Sequence, residues 1–223
     1  MISNNSSPRR VVVGVVTDTG TVDLCFAQSL CDSIKGASTQ NVDIIPIFLR
    51  SAGNATMRYN QLLTWAWRGG ADDLVFISPN CSWQPEAFMD TVLSANDAVT
   101  LPVLTQDGFQ VQLGELPRLQ TDAKSGEIKV LGAGMSFFRL SKKALTKLCE
   151  THPTIEFEGD EVKLVLQHGD IYGAFASPAD ILVYRLKELG IEPWLNPKHT
   201  VNTMAFVPTE GNFAAALTEA KKA

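Results

Sequence analysis

A surplus of positive charge is the clearest thing this sequence lacks. Across 223 residues, 19 Lys and Arg stand against 24 Asp and Glu for a formal charge of −5, and no basic run occurs. The chain therefore carries no electrostatic footprint for a phosphate backbone, and duplex nucleic acid is not expected as its partner. Long apolar runs are missing too. None reaches the roughly 18 residues of a membrane-spanning helix, and the opening MISNNSSPRR has no apolar stretch of the kind a secretory leader carries. A soluble, cytoplasmic protein that engages no membrane is the expectation.

Cysteine and histidine are sparse. Cys25, Cys31, Cys81 and Cys149 form no CxxC pair, and none stands at metal-ligand spacing from a histidine. That argues against a zinc site and a disulfide framework, and the four read as small buried hydrophobes in a reducing compartment. His152, His168 and His199 are scattered, and each reads as a surface or satisfied histidine. Repeats and linkers are absent as well. A 45% hydrophobic content is enough for one sizeable core, so the expected organisation is a flexible tail over 1–10 and a single domain over 11–223.

What is present has a strand-helix rhythm. VVVGVV, 11–16, is β-branched without alternation, the pattern of a strand covered on both faces. TDTG then turns the chain, and Val22, Phe26, Leu30 and Ile34 recur at helical spacing until Lys35-Gly36. VDIIPIFLR, 42–50, reads as a second strand that Pro46 sends to an edge or a bulge. SAGNATMRYNQLLTWAW gives a loop and a helix, DDLVFIS a third strand, and WQPEAFMDTVL a helix with Pro85 near its first turn. DAVTLPVL reads as one strand, the polar stretch 106–129 as hairpins or a loop, GAGMSFFRL as a strand, and SKKALTKLCE and ADILVYRLKELG as helices. Such an order builds a doubly wound α/β sheet. Ligands then sit beyond the carboxyl ends of its strands, at TDTG, RSAGN and SPNCSW.

From about residue 10 to 205, this order and its wording resemble the GT-A fold nucleotide-sugar glycosyltransferases, particularly small family-2-like bacterial and viral members. The first strand with TDTG is similar to that family's nucleotide-holding loop, and ATMRYNQLL to its Arg- and Asn-containing helix start. LVFISPNCSWQPEAF is similar to the strand, Asp-x-Asp turn and helix, and GAGMSFFRLSKKALTKL to the Gly-x-Gly-Phe segment beside the donor sugar. SPADILVYRLKELGIEPWLNP is similar to the acceptor-side Glu-Asp helix, and VNTMAF stands where the family often has a His. The resemblance implies a Rossmann-like GT-A domain, a three-layer α/β/α sandwich with a mainly parallel central sheet. It also implies transfer of a sugar from a nucleotide diphosphate to a hydroxyl of a glycan, glycoprotein or small molecule, in the cytoplasm of a bacterium or a virus-infected host cell. A homo-oligomer, or pairing with a paralogue, is compatible with it.

The sequence departs from that family at two places. Where the Asp-x-Asp turn would hold a divalent cation stand Ser78, Pro79 and Asn80, and neutral oxygens make a poor site for a hard ion. No metal site and no resident cofactor are expected. Asp72 and Asp73 precede the strand, at its opposite end, and read as capping or solvating a turn. At the acceptor side the Glu is Ala179, while Asp180 remains, which the resemblance makes the base; a helix-capping role is the competing reading. Arg50 and Arg58, with Lys198 and His199, are the cations available to a leaving diphosphate. Thr17 and Asp18 read equally as ribose or base contacts and as turn formers, and Asn60 belongs to the helix-start motif. Gly132 and Gly134 permit either close approach of the sugar or a bulge, and Trp83 and Trp194 read as core more than as stacking platforms. Two readings follow: a metal-independent glycosyltransferase, or a degenerate domain that binds a glycan, nucleotide or partner without turnover.

Overall fold

The structure, a computed structural model, describes residues 7–106, 108–115, 118–167, 169–171, 174–203, 213 and 218, with the side chains of 169–175 left aside. The first six residues of the expected tail, His168 and positions 204–206 of VNTMAF lie outside the described residues. The chain runs β1 (Arg9–Thr17), α1 (Leu24–Ser38), β2 (Val42–Arg50), α2 (Ala55–Arg68), β3 (Asp73–Ile77), β4 (Cys81–Ser82) and α3 (Pro85–Val92). β5 (Ala98–Thr100), β6 (Val103–Thr105), β7 (Gly108–Phe109), β8 (Val111–Leu113), β9 (Ile128–Ala133), β10 (Phe137–Ser141) and α4 (Lys142–Thr151) follow. Last come β11 (Thr154–Phe157), β12 (Asp160–Lys163), β13 (Gly169–Ile171), β14 (Ala174–Ala176), α5 (Pro178–Glu188), β15 (Pro193–Leu195) and β16 (Val201–Thr203). Among the described residues, no helix is long and apolar enough to cross a membrane.

The central sheet has the order β2-β1-β3-β10-β5-β15-β9-β8. β1 pairs in parallel with β2 and β3, and β5 with β15, while β10 and β9 run against their neighbours, so six of eight strands point one way. Alternation along β1 divides the core. Val11, Val13 and Val15 pack under α1 and α3, and Val12 and Val16 under α2, α4 and α5, which gives the expected α/β/α layers. Gly14 is required by close approach, because a Cβ there would lie 2.9 Å from Leu62 Cδ1 on α2.

Several elements differ from the sequence expectation. α1 continues through Gly36 to Ser38, carried by a buried stripe of Phe26, Ser29, Leu30, Ser33 and Ala37, while Ile34 stays exposed. DAVTLPVL is cut at Leu101-Pro102: β5 stays in the central sheet and β6 joins a second sheet of order β4-β16-β6-β7. Pro46 does lie on an edge strand, β2. The hairpins β11–β12 and β13–β14 were not anticipated. Of the cysteines, Cys81 and Cys149 are buried and burial pushes both thiols up to about 12, but Cys31 is exposed and Cys25 half-buried.

Asp73 corrects the turn-capping expectation. Its carboxylate is fully buried and accepts Arg9 Nε at 2.5 Å, Arg9 Nη2 at 3.1 Å and Arg139 Nε at 2.7 Å, with Arg139 also paired to it through Nη2 at 2.5 Å. Arg139 is buried as well, and its Nη1 donates to the carbonyl of Asn96. Burial draws the Arg139 guanidinium below its usual range against the pull of Asp73, whereas the hydrogen bond to Asp73 raises Arg9. Asp72 does sit in a surface cluster, accepting Arg10 N at 2.9 Å and Lys142 Nζ at 3.4 Å. Asp73→Asn leaves a buried arginine without its counter-charge and is expected to lower the unfolding free energy by about 3–5 kcal/mol. Asp72→Asn should cost less than about 1 kcal/mol. Urea titrations of the two variants check this, and equal costs would show that burial of the triad does not govern stability.

Candidate functional site

β1, β2 and β3 end side by side at Thr17, Arg50 and Ile77, and the loops beyond them form one edge of the sheet. The Thr17 hydroxyl is spent on that edge's own geometry: it accepts Gly20 N at 3.2 Å and donates to the Thr21 carbonyl at 3.0 Å. Asp18 is exposed and accepts a hydrogen bond from the Ser51 hydroxyl, which holds the β1 and β2 loops together. Arg50 is also exposed, and among the described residues its guanidinium has no partner. Gly20, at φ 80°, lets the loop pass beside it.

The turn after β3 is stitched by main chain. Ser78 N donates to the Ser136 carbonyl at 3.0 Å, Cys81 N to the Ser78 carbonyl at 3.1 Å, and Asp23 N to the Pro79 carbonyl at 2.9 Å. Ser78 is half-buried and Asn80 exposed, so both side chains offer only neutral oxygens. These residues do not fit a hard divalent cation, which is held by carboxylates.

Arg58 and Asn60, expected to face the donor, have other partners. Arg58 grips Glu158 through two bonds of 2.7 and 2.9 Å, donates to Gln61 Oε1 at 2.8 Å and to the Arg50 carbonyl at 2.9 Å, and stacks 5.3 Å from the Phe157 ring centre. Glu158 holds a left-handed φ of 52° at the tip of the β11–β12 hairpin, a conformation an L-residue adopts at some cost. Asn60 is completely buried and clamps a chain 106 residues away: Oδ1 accepts Val165 N at 3.1 Å and Leu166 N at 2.8 Å, while Nδ2 donates to the Leu166 carbonyl at 2.7 Å. His199 pairs with Asp90 of α3 at 2.8 Å, and Lys198 is exposed in the adjoining loop. Trp83 is core, its indole donating to Ser33 Oγ at 3.0 Å, and Trp194 lies half-buried within β15.

Gly132, Gly134 and Asp180 do come together. They line a cleft of about 430 Å³ with Gln110, Gln112 and Ala179. A hydrogen-bond relay ties this cleft to the neutral turn, since Ser136 accepts from Ser78 N through its carbonyl and donates through Oγ to Gln110 Oε1 at 3.2 Å. Asp180 is exposed at N3 of α5 and completes a capping box: Oδ2 accepts Ser177 N at 3.0 Å and Ser177 Oγ at 2.6 Å, and Ser177 Oγ accepts Asp180 N at 3.3 Å. Among the described residues, Oδ1 has no partner. Gln110, between β7 and β8, and Gln112 of β8 were passed over in the sequence, although FQVQL sets them at i and i+2.

Similarity to known proteins is confined to folds. No protein-family model matches the sequence, and no curated protein matches it. The chain is similar to A197 from STIV, at 13% identity and a TM-score of 0.52, over 88% of this chain and 86% of that one. It is also similar to GalNAc-T7, solved with UDP, GalNAc and Mn²⁺, at 8% identity and a TM-score of 0.53, over 90% of this chain but 45% of that one. The chain thus shares a GT-A-like, mainly parallel α/β fold with these structures.

The geometry of Arg58 generates a test. Its ion pair with Glu158 is half in solvent, which limits the electrostatic share, but Arg58→Ala also removes the bonds to Gln61 and Arg50 and the contact with Phe157. A loss of about 1–2 kcal/mol in stability is expected, with Glu158→Gln costing less. Thermal melts of both variants measure it. Unchanged stability with loss of nucleotide binding would make Arg58 a ligand residue instead of a clamp.

Proposed function

We propose that the chain is a glycosyltransferase that moves a sugar from a nucleotide-diphosphate donor to an acceptor hydroxyl without a dedicated metal site. The reading rests on the pairing of a cleft whose described lining holds Gly132, Gly134 and a single carboxylate, Asp180, with a sheet edge where Arg50 is free among the described residues. The fold it shares with GalNAc-T7, a structure containing UDP, GalNAc and Mn²⁺, supports the donor class and not the absence of a metal. From β2 to β10 the edge spans three strand spacings, about 14 Å, along which an extended donor can lie. Arg50, Ser78 and Asn80 face its diphosphate, and Asp18 its ribose or base. Thr17, Arg58 and Asn60 shape that site from behind. In transfer, the acceptor O–H proton passes to Asp180 Oδ1 while the oxygen bonds to the anomeric carbon. The bond from that carbon to the phosphate oxygen breaks, and its electron pair leaves on the diphosphate, whose charge Arg50 meets through charge-assisted hydrogen bonds.

The capping box favours one second reading, a binding subunit without turnover. Two hydrogen bonds to Asp180 Oδ2 are what a purely structural carboxylate makes. The two readings part at Asp180→Asn. At N3 of the capping box the asparagine Oδ1 still accepts from Ser177, so stability should fall by no more than the first-turn charge contributes, about 0.3–1 kcal/mol, while transfer should fall about 10²-fold or more if the carboxylate is the base. Equal turnover by the variant would leave Asp180 as a cap alone. Donor binding is tested apart from turnover: calorimetric titration with nucleotide sugars should be unaffected by EDTA and weakened about 10- to 100-fold by Arg50→Ala. Loss of binding in EDTA would overturn the metal-independent reading.

A further inference from the structure

Arg58 and Glu158 are unequal partners. The Arg58 side chain is 14% exposed and that of Glu158 55%. Neutral groups hold the arginine: the Arg50 carbonyl accepts from Nε at 2.9 Å, Gln61 Oε1 accepts from Nη1 at 2.8 Å, and Cζ lies 5.3 Å over the centre of the Phe157 ring. Gln61 is itself buried. Among the described residues, Glu158 has no partner except Arg58, which it meets with both oxygens, at 2.7 and 2.9 Å. The cation thus keeps its place without the carboxylate, while the carboxylate keeps its own only through the cation. A poorly solvated guanidinium needs an anion beside it, whereas a carboxylate more than half in water does not need a cation.

The hairpin carries Glu158 so that its side chain can move alone. Phe157 pairs with Asp160, and Glu158 and Gly159 between them form a two-residue turn with φ of 52° and 83°. Behind that tip, β12 is fixed to α2: Val162 is buried, Lys163 N donates to Thr64 Oγ1 at 2.8 Å, and Arg68 holds Glu161 at 2.9 Å. Rotation of the Glu158 side chain into water disturbs none of those contacts. It uncovers a fork of N–H groups, Nη1 and Nη2, on the guanidinium that is bonded to the Arg50 carbonyl at the end of β2. Such a fork accommodates two phosphate oxygens as well as it does a carboxylate. Resting on the transferase reading for the identity of the ligand, we propose that Glu158 is a built-in competitor, an anion that occupies Arg58 in the empty protein and gives way to a phosphate group arriving on the sheet edge. The edge then has two cations for a diphosphate, Arg50 and Arg58. Apparent affinity is the intrinsic affinity scaled down by the fraction of molecules in which Glu158 is turned out.

Calorimetric titration of the whole chain with inorganic pyrophosphate, UDP and a UDP-sugar tests this in wild type, Glu158→Gln and Glu158→Asn. Asn-Gly is a preferred pair for a two-residue turn of this kind, so Glu158→Asn removes the carboxylate and retains the hairpin, which melting curves verify. Both variants should bind pyrophosphate and UDP about fivefold more tightly, the factor expected from a half-exposed ion pair that no longer has to be broken. In an Arg58→Ala background the Glu158 substitutions should change nothing. Glu161→Gln, which removes an equal charge from the same hairpin, should stay within about twofold of wild type. Unchanged or weaker binding by both Glu158 variants overturns the proposal. A gain that survives the loss of Arg58, or that Glu161→Gln matches, overturns it too, because either reports bulk charge. Tighter pyrophosphate binding in variants that take up no nucleotide keeps the competitor and sinks the transferase reading. Nucleotide-sugar binding that is indifferent to Glu158 does the reverse, and binding of no phosphate by any of these proteins overturns both.

Discussion

The buried carboxylate of Asp73 fixes the middle of the sheet. It sits at the first residue of β3 and takes one arginine from β1 and another from β10, so three adjacent strands share one anion. The pairing with Arg139 also sets register: Ser141 lies opposite Asp73, which puts Phe137 opposite Ile77 at the far end of β3. β10 must therefore start beside the turn after β3. Its three preceding residues, Gly134 to Ser136, are delivered to Ser78, and the cleft forms where they meet β8. A charge cluster at one end of the sheet thus positions the candidate site at the other. Such a triad adds little to stability over an apolar core of equal volume but tolerates no partial loss, and its best-attested value is of this kind, choosing one register among several.

The helix α2 supplies the second constraint. Asn60 saturates its amide on the main chain of Val165 and Leu166, and Arg58 saturates its guanidinium on Glu158, Gln61 and Arg50. Both residues hold the segment between α4 and β13 against the sheet, behind the edge that carries Arg50. Polar groups that a motif presents as ligand contacts are here the fastenings of the ligand edge. Glu158 owes its left-handed backbone to the two-residue turn of the β11–β12 hairpin, in which it and Gly159 both have φ > 0, and from that turn it reaches Arg58.

How much of this was legible follows from distance along the chain. VVVGVV carries its own signal, a valine-rich run that burial on both faces explains, and with it the α/β order and the strand ends at Thr17, Arg50 and Ile77 could be read. Asp73 could not, because Asp-Asp before a strand looks like a solvated turn and its partners lie 64 and 66 residues away. Asn60 is hidden for the same reason. The β11–β12 hairpin went unseen because TIEF and DEVK are half exposed and too polar to stand out. Gly132 and Gly134 were legible as glycines of consequence, but their neighbours, Gln112 and Gln110, become visible only once β8 is laid against β9. The cut in DAVTLPVL was announced by Pro102 and was still missed, since the change of sheet depends on β16, a strand almost 100 residues later.

The turn after β3 keeps its shape through main chain alone. Where a carboxylate pair would tie the turn to its surroundings through an ion, Ser78, Pro79 and Cys81 tie it through three main-chain hydrogen bonds, to Ser136, to Asp23 and across the turn itself. The shape of the turn is independent of any charge on its side chains. A turn without carboxylates offers no ion, so positive potential has to come from elsewhere if an anion is to rest on this edge. Arg50 is the described cation on the edge left unengaged, two strands away across β1 from the turn. Charge and neutrality are thereby separated in space: the edge from β2 to β3 carries the cation, the cleft beyond Ser136 carries amides and one carboxylate, and the relay Ser78–Ser136–Gln110 runs between them.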